Sequence, residues 1–286
     1  MSDTPVPTRI QAHQHPDWLY RRPRLLWWVF AWYRLLYQRV WLVERTLQRL
    51  GTRAARPDFT ALDAGCGEGL FTYRFARRFS RATVWANDLR PANIRLVEAY
   101  VRSTGLSNVL TTRQDLTRFE SPAPVDLCWC VGVLHLVPDD AEVLRRLAAA
   151  VRPGGILLLY TPVHRRRVLP WFETWYRRFG NYEATHAVHR YTYPVLVELL
   201  HRTGWEIEEH RFTNGTPGII AYEWYTSCFL LFTAGSWWQR ALGGLVGIIS
   251  LPGVVLLSLI DYYRRPRTGN GLQIVARRKG EMSPTS

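Results

Sequence analysis

A polar, proline-containing lead of residues 1–16 gives way to a helical period. Between residues 18 and 50, Leu25, Trp28, Trp32, Leu36, Val40, Val43 and Leu47 recur at spacings of three and four, with Arg34, Gln38, Arg45 and Gln48 on another side. The pattern predicts one long amphipathic helix, opened by Pro23 and stopped at Gly51. The period then alternates. Strand-like runs at 59–63, 83–88, 109–113, 125–131 and 155–160 are separated by helical patterns at 69–79, 91–104 and 139–151. Strands alternating with helices predict βαβ units, hence a parallel sheet covered on both faces.

The last two strand-like runs, 205–212 and 271–277, lie far apart in the chain. Between them, residues 224–239 are uncharged, and so are the twenty residues 241–260, a length sufficient to cross a bilayer. A single crossing would leave the final strand on the wrong side of the membrane. A hairpin fits better, with Arg240 between its two segments and Pro252-Gly253 breaking the second, monotopic or re-entrant in one leaflet. Arg264, Arg265 and Arg267 follow, suited to anionic headgroups on the cytoplasmic side. A dimer interface or a helical cap on the core is the alternative. The expected organisation is therefore a flexible 1–16, an amphipathic helix 17–51, a core 52–212 with a lid at 161–193, an inserted hairpin 213–269, the last core strand 270–278 and a tail 279–286.

Composition sharpens this outline. A hydrophobic share of 47% with 21% charged residues is globular and excludes disorder as the main state. The net charge of +14 is carried almost wholly by arginine, Lys279 being the only lysine, and 13 tryptophans accompany it. Arginine with aromatics suits nucleic acid or a membrane surface. Arg21, Arg22 and Arg24 stand before the first helix, which reads as a bilayer-interface helix or as a cover on the core. Cys66, Cys128, Cys130 and Cys228 form no CxxC pair, and no histidine stands at a metal-ligand spacing from them, so neither a disulfide framework nor a metal site is expected. Residues 1–14 lack the apolar run of a secretory signal.

The candidate chemistry starts where the first strand ends. Asp63-Ala64-Gly65-Cys66-Gly67-Glu68-Gly69 is a glycine loop between strand and helix, able to bring backbone close to a ligand. The second strand closes on Asp88, about twenty residues later, where an acid can accept from both ribose hydroxyls. Asp88 could equally cap the helix that follows. Loop and acid together point to a nucleoside-containing cofactor.

From here the sequence resembles class I S-adenosylmethionine-dependent methyltransferases, over about residues 57–213 and 270–278. The resemblance rests on Leu62-Asp63-Ala64-Gly65-Cys66-Gly67-Glu68-Gly69, Asn87-Asp88-Leu89-Arg90-Pro91 and Arg113-Gln114-Asp115-Leu116, in that order. Val125-Asp126-Leu127, Gly132-Val133-Leu134-His135-Leu136 and Val151-Arg152-Pro153-Gly154-Gly155 complete it. It implies a doubly wound, mostly parallel seven-stranded sheet and S-adenosyl-L-methionine as cofactor. In the family's roles Asp63, Gly65, Cys66, Gly67 and Gly69 would face the methionine part, Asp88 the ribose, Leu89 and Asp115 the adenine, with Cys130 to Gly132 closing the site. His135 is a candidate base or packing residue. No Asn/Asp-Pro-Pro-Tyr/Phe motif stands at residues 130–133, so the usual signature for methylating nucleic-acid bases is missing and the small-molecule and lipid branch is the better match.

Within the lid, His186, His189 and Tyr191 are candidate acceptor contacts, with a solvated basic face as the plain alternative. These readings combine into a membrane-associated methyltransferase at the cytoplasmic face, contacting the membrane through 17–51 and 224–267. Its acceptor would be a lipidic or hydrophobic small molecule, methylated at oxygen. An RNA methyltransferase using the basic surface, or a non-catalytic membrane adaptor of the same fold, are the competing expectations.

Overall fold

The computed structural model describes residues 22–52, 58–163, 166–179 and 187–280. Seven strands form one sheet: β1 Thr60–Ala64, β2 Thr83–Asn87, β3 Val109–Thr112, β4 Val125–Val131, β5 Val151–Pro162, β6 Trp205–Thr213 and β7 Gly271–Arg278. Their order is β3-β2-β1-β4-β5-β7-β6. The first five run parallel, and β7 is antiparallel to both neighbours. The chain reverses its direction of travel across the sheet between β1 and β4, and open α/β sheets bind ligands at that point. Among the described residues this is the doubly wound, mostly parallel fold expected from the alternating pattern.

Strand alternation sorts the core onto two faces. On β4, Trp129 joins one buried cluster with Val43, Leu47, Phe75 and Leu96, while Cys128 and Cys130 join the other with Leu144, Leu147, Leu196 and Trp205. The first face is covered by α2 Gln38–Gly51, α3 Leu70–Arg78 and α4 Pro91–Thr104, the second by α5 Asp140–Ala150 and α7 Tyr193–Arg202.

The first helix departs from the expected single rod. A 3-10 turn, Pro23–Leu25, leads into α1 Leu26–Leu36, and Tyr37 then adopts an extended conformation (φ −108°, ψ 111°) before α2 begins. One extended residue shifts the helical phase, so the single stripe read from the sequence divides. Val40, Val43 and Leu47 are buried on the sheet, whereas Trp28 and Trp32 are exposed. Buried Glu44, paired with Arg74 and with Arg34 at 3.5 Å, holds the second half in place.

The hairpin also differs in detail. Its helices are α8 Thr216–Ala234 and α9 Trp237–Arg264, turning at Gly235-Ser236. Ser236 caps α9 reciprocally with Gln239, which ends the first helix where the sequence reading placed only an uncharged run. Arg240 therefore lies in the first turn of α9 rather than between the segments, its Nε donating to the Gly235 carbonyl at 2.9 Å. Pro252 sits inside α9 without breaking it. It removes one helical hydrogen bond, but it is exposed together with Gly253, on a side where no neighbour is displaced.

The hairpin is anchored at its base and along one side. Buried Asp261 of α9 accepts from Gly215 N at 3.1 Å at the start of α8. Burial raises its pKa, and backbone bonds from Gly215 and Gly218 oppose the rise. Along its length α8 packs against α6 Phe172–Phe179, where Phe172 and Tyr176 are buried with Leu230. Glu223 of α8 accepts from Val168 N at 3.1 Å and Leu169 N at 2.7 Å. Among the described residues the outer side of α9 has no such cover. Trp238, Leu242, Leu245, Ile249, Leu256 and Tyr263 form an exposed stripe at spacings of three, four and seven, with Ile249 70% exposed. Among the described residues α9 is the one helix long and apolar enough to cross a membrane, by length and composition.

Candidate active site

The site grows out of the turn after β1. Gly65, Gly67 and Gly69 all have positive φ, at +85°, +55° and +85°. At Gly65 a Cβ would lie 2.4 Å from a methyl of Val133, so the backbone approaches the β4 loop more closely than any side chain allows. At Gly67 a Cβ would meet nothing within 4 Å, and that side of the loop faces open space.

Backbone bonds fix the loop's path. Gly65 N and Cys66 N both donate to the carbonyl of Asn87, at 2.8 and 2.9 Å. Gly67 N donates to Asp88 Oδ2 at 2.9 Å. The other Asp88 oxygen accepts from Arg90 N at 2.8 Å and from Asn93 Nδ2 at 3.0 Å. Asp88 is thus both the acid at the end of β2 and the clamp on the helix that follows. It clamps the turn without capping α4, whose N-cap is Arg90. Asn87 joins β2 to the next loop through paired bonds with the Gln114 backbone, at 2.9 and 3.1 Å. Asp115 accepts from Thr117 N and Thr117 Oγ1, both at 2.9 Å, fixing the turn after β3.

A cavity of about 570 Å³ opens over this loop, well within the range of small-molecule sites. Asp63, Gly65, Cys66, Gly67, Asp88, Leu89 and Asp115 all line it. Asp63 is almost fully buried, and burial pushes its carboxyl up to about 7, against hydrogen bonding from Thr72 and with a further contribution from the Asp88 charge. Tyr33, Tyr37 and Arg39 roof the cavity from the broken N-terminal helix. The Tyr33 hydroxyl is hydrogen-bonded to Glu68, and burial followed by the Glu68 charge raises its pKa far above the ordinary phenol value.

Several residues singled out in the sequence lie elsewhere. Gly69 caps α3 and does not line the cavity. Of the backbone expected to close the site at 130–132, Val131 and Gly132 form the wall, while the Cys130 side chain points into the opposite core because β4 alternates its faces up to its end. His135 is buried in the 3-10 turn Leu134–Leu136, and its neighbours Leu136 and Val137 form the wall. Its carbonyl accepts from Val188 N and His189 N, at 2.9 and 3.2 Å. His189 meets the Pro138 carbonyl at 3.0 Å, and Tyr191 donates to Asp140 at 2.8 Å, so both secure the lid's return to the core. His186 lies outside the described residues.

A second cavity of about 250 Å³ adjoins the first. Tyr160 at the end of β5, Asn214, Tyr222 of α8 and Ser258 of α9 line it, and Tyr37 and Arg39 belong to both cavities. Sequence reading missed Tyr33, Tyr37, Arg39, Asn93 and Gln114. Tyr37 carried no usable signal, since nothing in a continuous helical period marks where one extended residue will stand.

A family model described as a methyltransferase domain matches residues 61–155. These residues form a class I S-adenosylmethionine-dependent methyltransferase domain. The ubiquinone biosynthesis O-methyltransferase of Xanthomonas campestris pv. campestris (strain B100) is 32% identical over 117 residues, covering 40% of this chain and 48% of that protein. The protein of the same name from Aeromonas salmonicida (strain A449) is 29% identical over 121 residues, covering 42% of this chain and 48% of that one. The chain thus spans about half the length of the curated relatives it matches. A putative sarcosine dimethylglycine methyltransferase from Galdieria sulphuraria shares the fold at a TM-score of 0.55 and 15% identity, over 82% of this chain and 86% of that one. The methyltransferase domain accounts for the glycine loop, Asp88 and Asp115. The hairpin and the helix break lie outside the matched residues.

Proposed function

We propose that this chain is an S-adenosylmethionine-dependent methyltransferase that works at a membrane surface and methylates an oxygen of a lipidic or hydrophobic small molecule. The observation that carries the reading is the unpartnered apolar stripe of α9, a helix whose inner side walls the second cavity at Ser258.

The larger cavity fits the cofactor. The open side of Gly67 leaves room for it, and Asp63, Glu68, Asp88 and Asp115 put four carboxylates on the walls, suited to a cationic amino acid part and to hydroxyl and amino donors. In this reading Asp63 holds the loop and the amino group, Asp88 the ribose, Leu89 the face of adenine and Asp115 its amino group. The bound cofactor supplies an already activated methyl group, leaving the chain to position the acceptor and keep water away. Oxygen as the acceptor atom agrees with the names of the relatives, which are O-methyltransferases.

The membrane part rests on shape and charge together. Exposed Trp237 and Trp238 stand at one end of the stripe, and Arg264, Arg265 and Arg267 follow at the other. Indoles at headgroup depth and arginines on anionic lipid are the chemistry of a cytoplasmic interface. Exposed Trp27 and Trp28 of α1 add to it. The protein should float with phosphatidylglycerol-containing liposomes and transfer labelled methyl groups to a membrane lipid extract. Transfer to water-soluble metabolites alone, without flotation, overturns the reading. RNA binding with a steep salt dependence would assign the charge to nucleic acid. Dimerisation that hides the stripe would assign it to a second copy, and failure to bind S-adenosylhomocysteine would leave an adaptor.

A further inference from the structure

Where the hairpin returns to the sheet, three arginines converge around one tyrosine. Tyr262, in the last turn of α9, is buried. Arg211 of β6 lies over its ring, with the guanidinium 4.3 Å from the ring centre, and donates to its backbone carbonyl. Trp41 of α2 packs edge-on against the same ring, 5.7 Å between centres. Arg45 stands one helical turn beyond Trp41 on the same side of α2, and Arg265 three residues beyond Tyr262. Burial lowers the Arg211 pKa, and the charges of Arg265 and Arg45 lower it further.

Among the described residues none of the three forms an ion pair. The carboxylates of the surrounding elements are engaged elsewhere: Glu209 of β6 with Arg49, Glu44 of α2 with Arg74 and Arg34, and Asp261 of α9 with Gly215 N. The Arg211 Nε is buried and meets no acceptor among the described residues. Arg265 also has a φ of +51°, a left-handed conformation that disfavours any residue with a Cβ. Pro266 behind it packs 2.6 Å from where a Cβ on Gly215 would stand, which holds the turn in place. Complementing the negative end of a helix would account for an arginine at the close of α9. It does not account for Arg211, which comes from the sheet, or for Arg45, which comes from the middle of α2. Strain of this kind is kept where a side chain has a ligand to hold.

Resting on the membrane reading above, we propose that Arg45, Arg211 and Arg265 form a binding site for a phosphate group, and that the carrier of this phosphate is an anionic lipid headgroup. Guanidinium groups match phosphate in charge and in the spacing of their donors. Location names the carrier. Tyr263, next to Tyr262 and 73% exposed, ends the apolar stripe of α9, and Arg45 and Arg265 are exposed beside it. With the stripe in the acyl region, the three arginines stand at headgroup depth. Neither cavity is lined by any of them, so a headgroup held here orients the protein on the membrane and leaves the acceptor's place open.

The test floats the full-length protein on phosphatidylcholine vesicles that carry phosphatidylglycerol, or oleate at equal surface potential. Wild type should favour phosphatidylglycerol by at least about threefold, because its phosphate stands clear of the acyl chains while the oleate carboxylate lies deeper. Arg211→Lys, which keeps the charge and loses the fork, should abolish the preference. Arg265→Gly should abolish it too, while Tm stays equal or rises because glycine relieves the left-handed strain. Arg267→Gln, at an exposed arginine outside the cluster, should lower binding to both vesicles by about fivefold at most and keep the preference. Inorganic phosphate should raise the Tm of wild type above that in chloride of equal ionic strength, and raise that of Arg265→Gly less. Such protection without a vesicle preference would give the site to free phosphate, and RNA binding lost in the same variants without that preference would give it to a nucleic-acid backbone. Either result overturns the lipid assignment. Flotation without preference and without phosphate protection overturns the site and leaves the membrane reading standing. Absence of flotation from both vesicles overturns the membrane reading and the lipid carrier, while phosphate protection lost in Arg265→Gly would still uphold the site.

Discussion

Thr72 donates its hydroxyl to the buried carboxylate of Asp63 at 2.6 Å, tying α3 to the end of β1 directly beneath the glycine loop. The bond keeps a charge-bearing group in an apolar place, and its titration has a stated sign. Burial raises Asp63 from 3.8 to about 7. The folded protein therefore holds a proton that the unfolded chain has already released, and ligand-free stability falls as pH rises between those values. The loss approaches about 4 kcal/mol at its upper bound. Asp63→Asn should flatten the profile, read as Tm of the ligand-free protein across that window, and weaken S-adenosylhomocysteine binding.

Asp88→Ala removes the acceptor for Gly67 N as well as the carboxylate proposed to hold the ribose. Loss of a charge-assisted bond of this kind costs about 1.5–3 kcal/mol, so calorimetry should show S-adenosylhomocysteine binding weakened at least about tenfold. Unchanged affinity would mean that the ribose is held elsewhere.

Gly65→Ala combines a forbidden φ with a Cβ only 2.4 Å from Val133. A loss of about 1–3 kcal/mol is expected, seen in chemical denaturation. Gly67→Ala, at a position with open space, should cost less stability and more cofactor affinity.

Asp261→Ala leaves Gly215 N without its buried acceptor. The expected cost is about 1–3 kcal/mol, with faster proteolysis at the base of the hairpin and little change in the far half of the sheet.

Leu245→Glu with Ile249→Glu changes two exposed positions of the α9 stripe. Flotation on anionic liposomes should drop by about tenfold or more, with Tm unchanged. A lowered Tm with flotation intact would show that the stripe packs within the protein.

Strands β1 to β7, helices α3 to α5 and the cofactor loop were legible because each rests on local signals: period, glycine spacing and an acid at a strand end. What was not legible depends on contacts distant in sequence. Tyr37 is extended although its neighbours continue a helical period, so the phase shift that exposes Trp28 and buries Val43 left no mark in the pattern. Pro252 looked like a breaker, yet it faces outward where its ring displaces nothing. His135 has the right chemistry and the right place in the chain, but the turn that carries it points its ring into the core. Arg39 was simply one arginine among many until the fold brought it to the cavity roof.

Thr213 and Gly271 are paired across β6 and β7, so the segment between them leaves and re-enters the sheet on a single rung. That makes residues 214–270 a cassette. It supplies part of the second cavity's wall, through Asn214, Ile219, Tyr222 and Ser258, and the outward stripe of α9, while the described lining of the larger cavity comes from other parts of the chain. On the function proposed above, exchanging it at one rung would alter the membrane contact and part of the second cavity in one step, with the sheet left as it is.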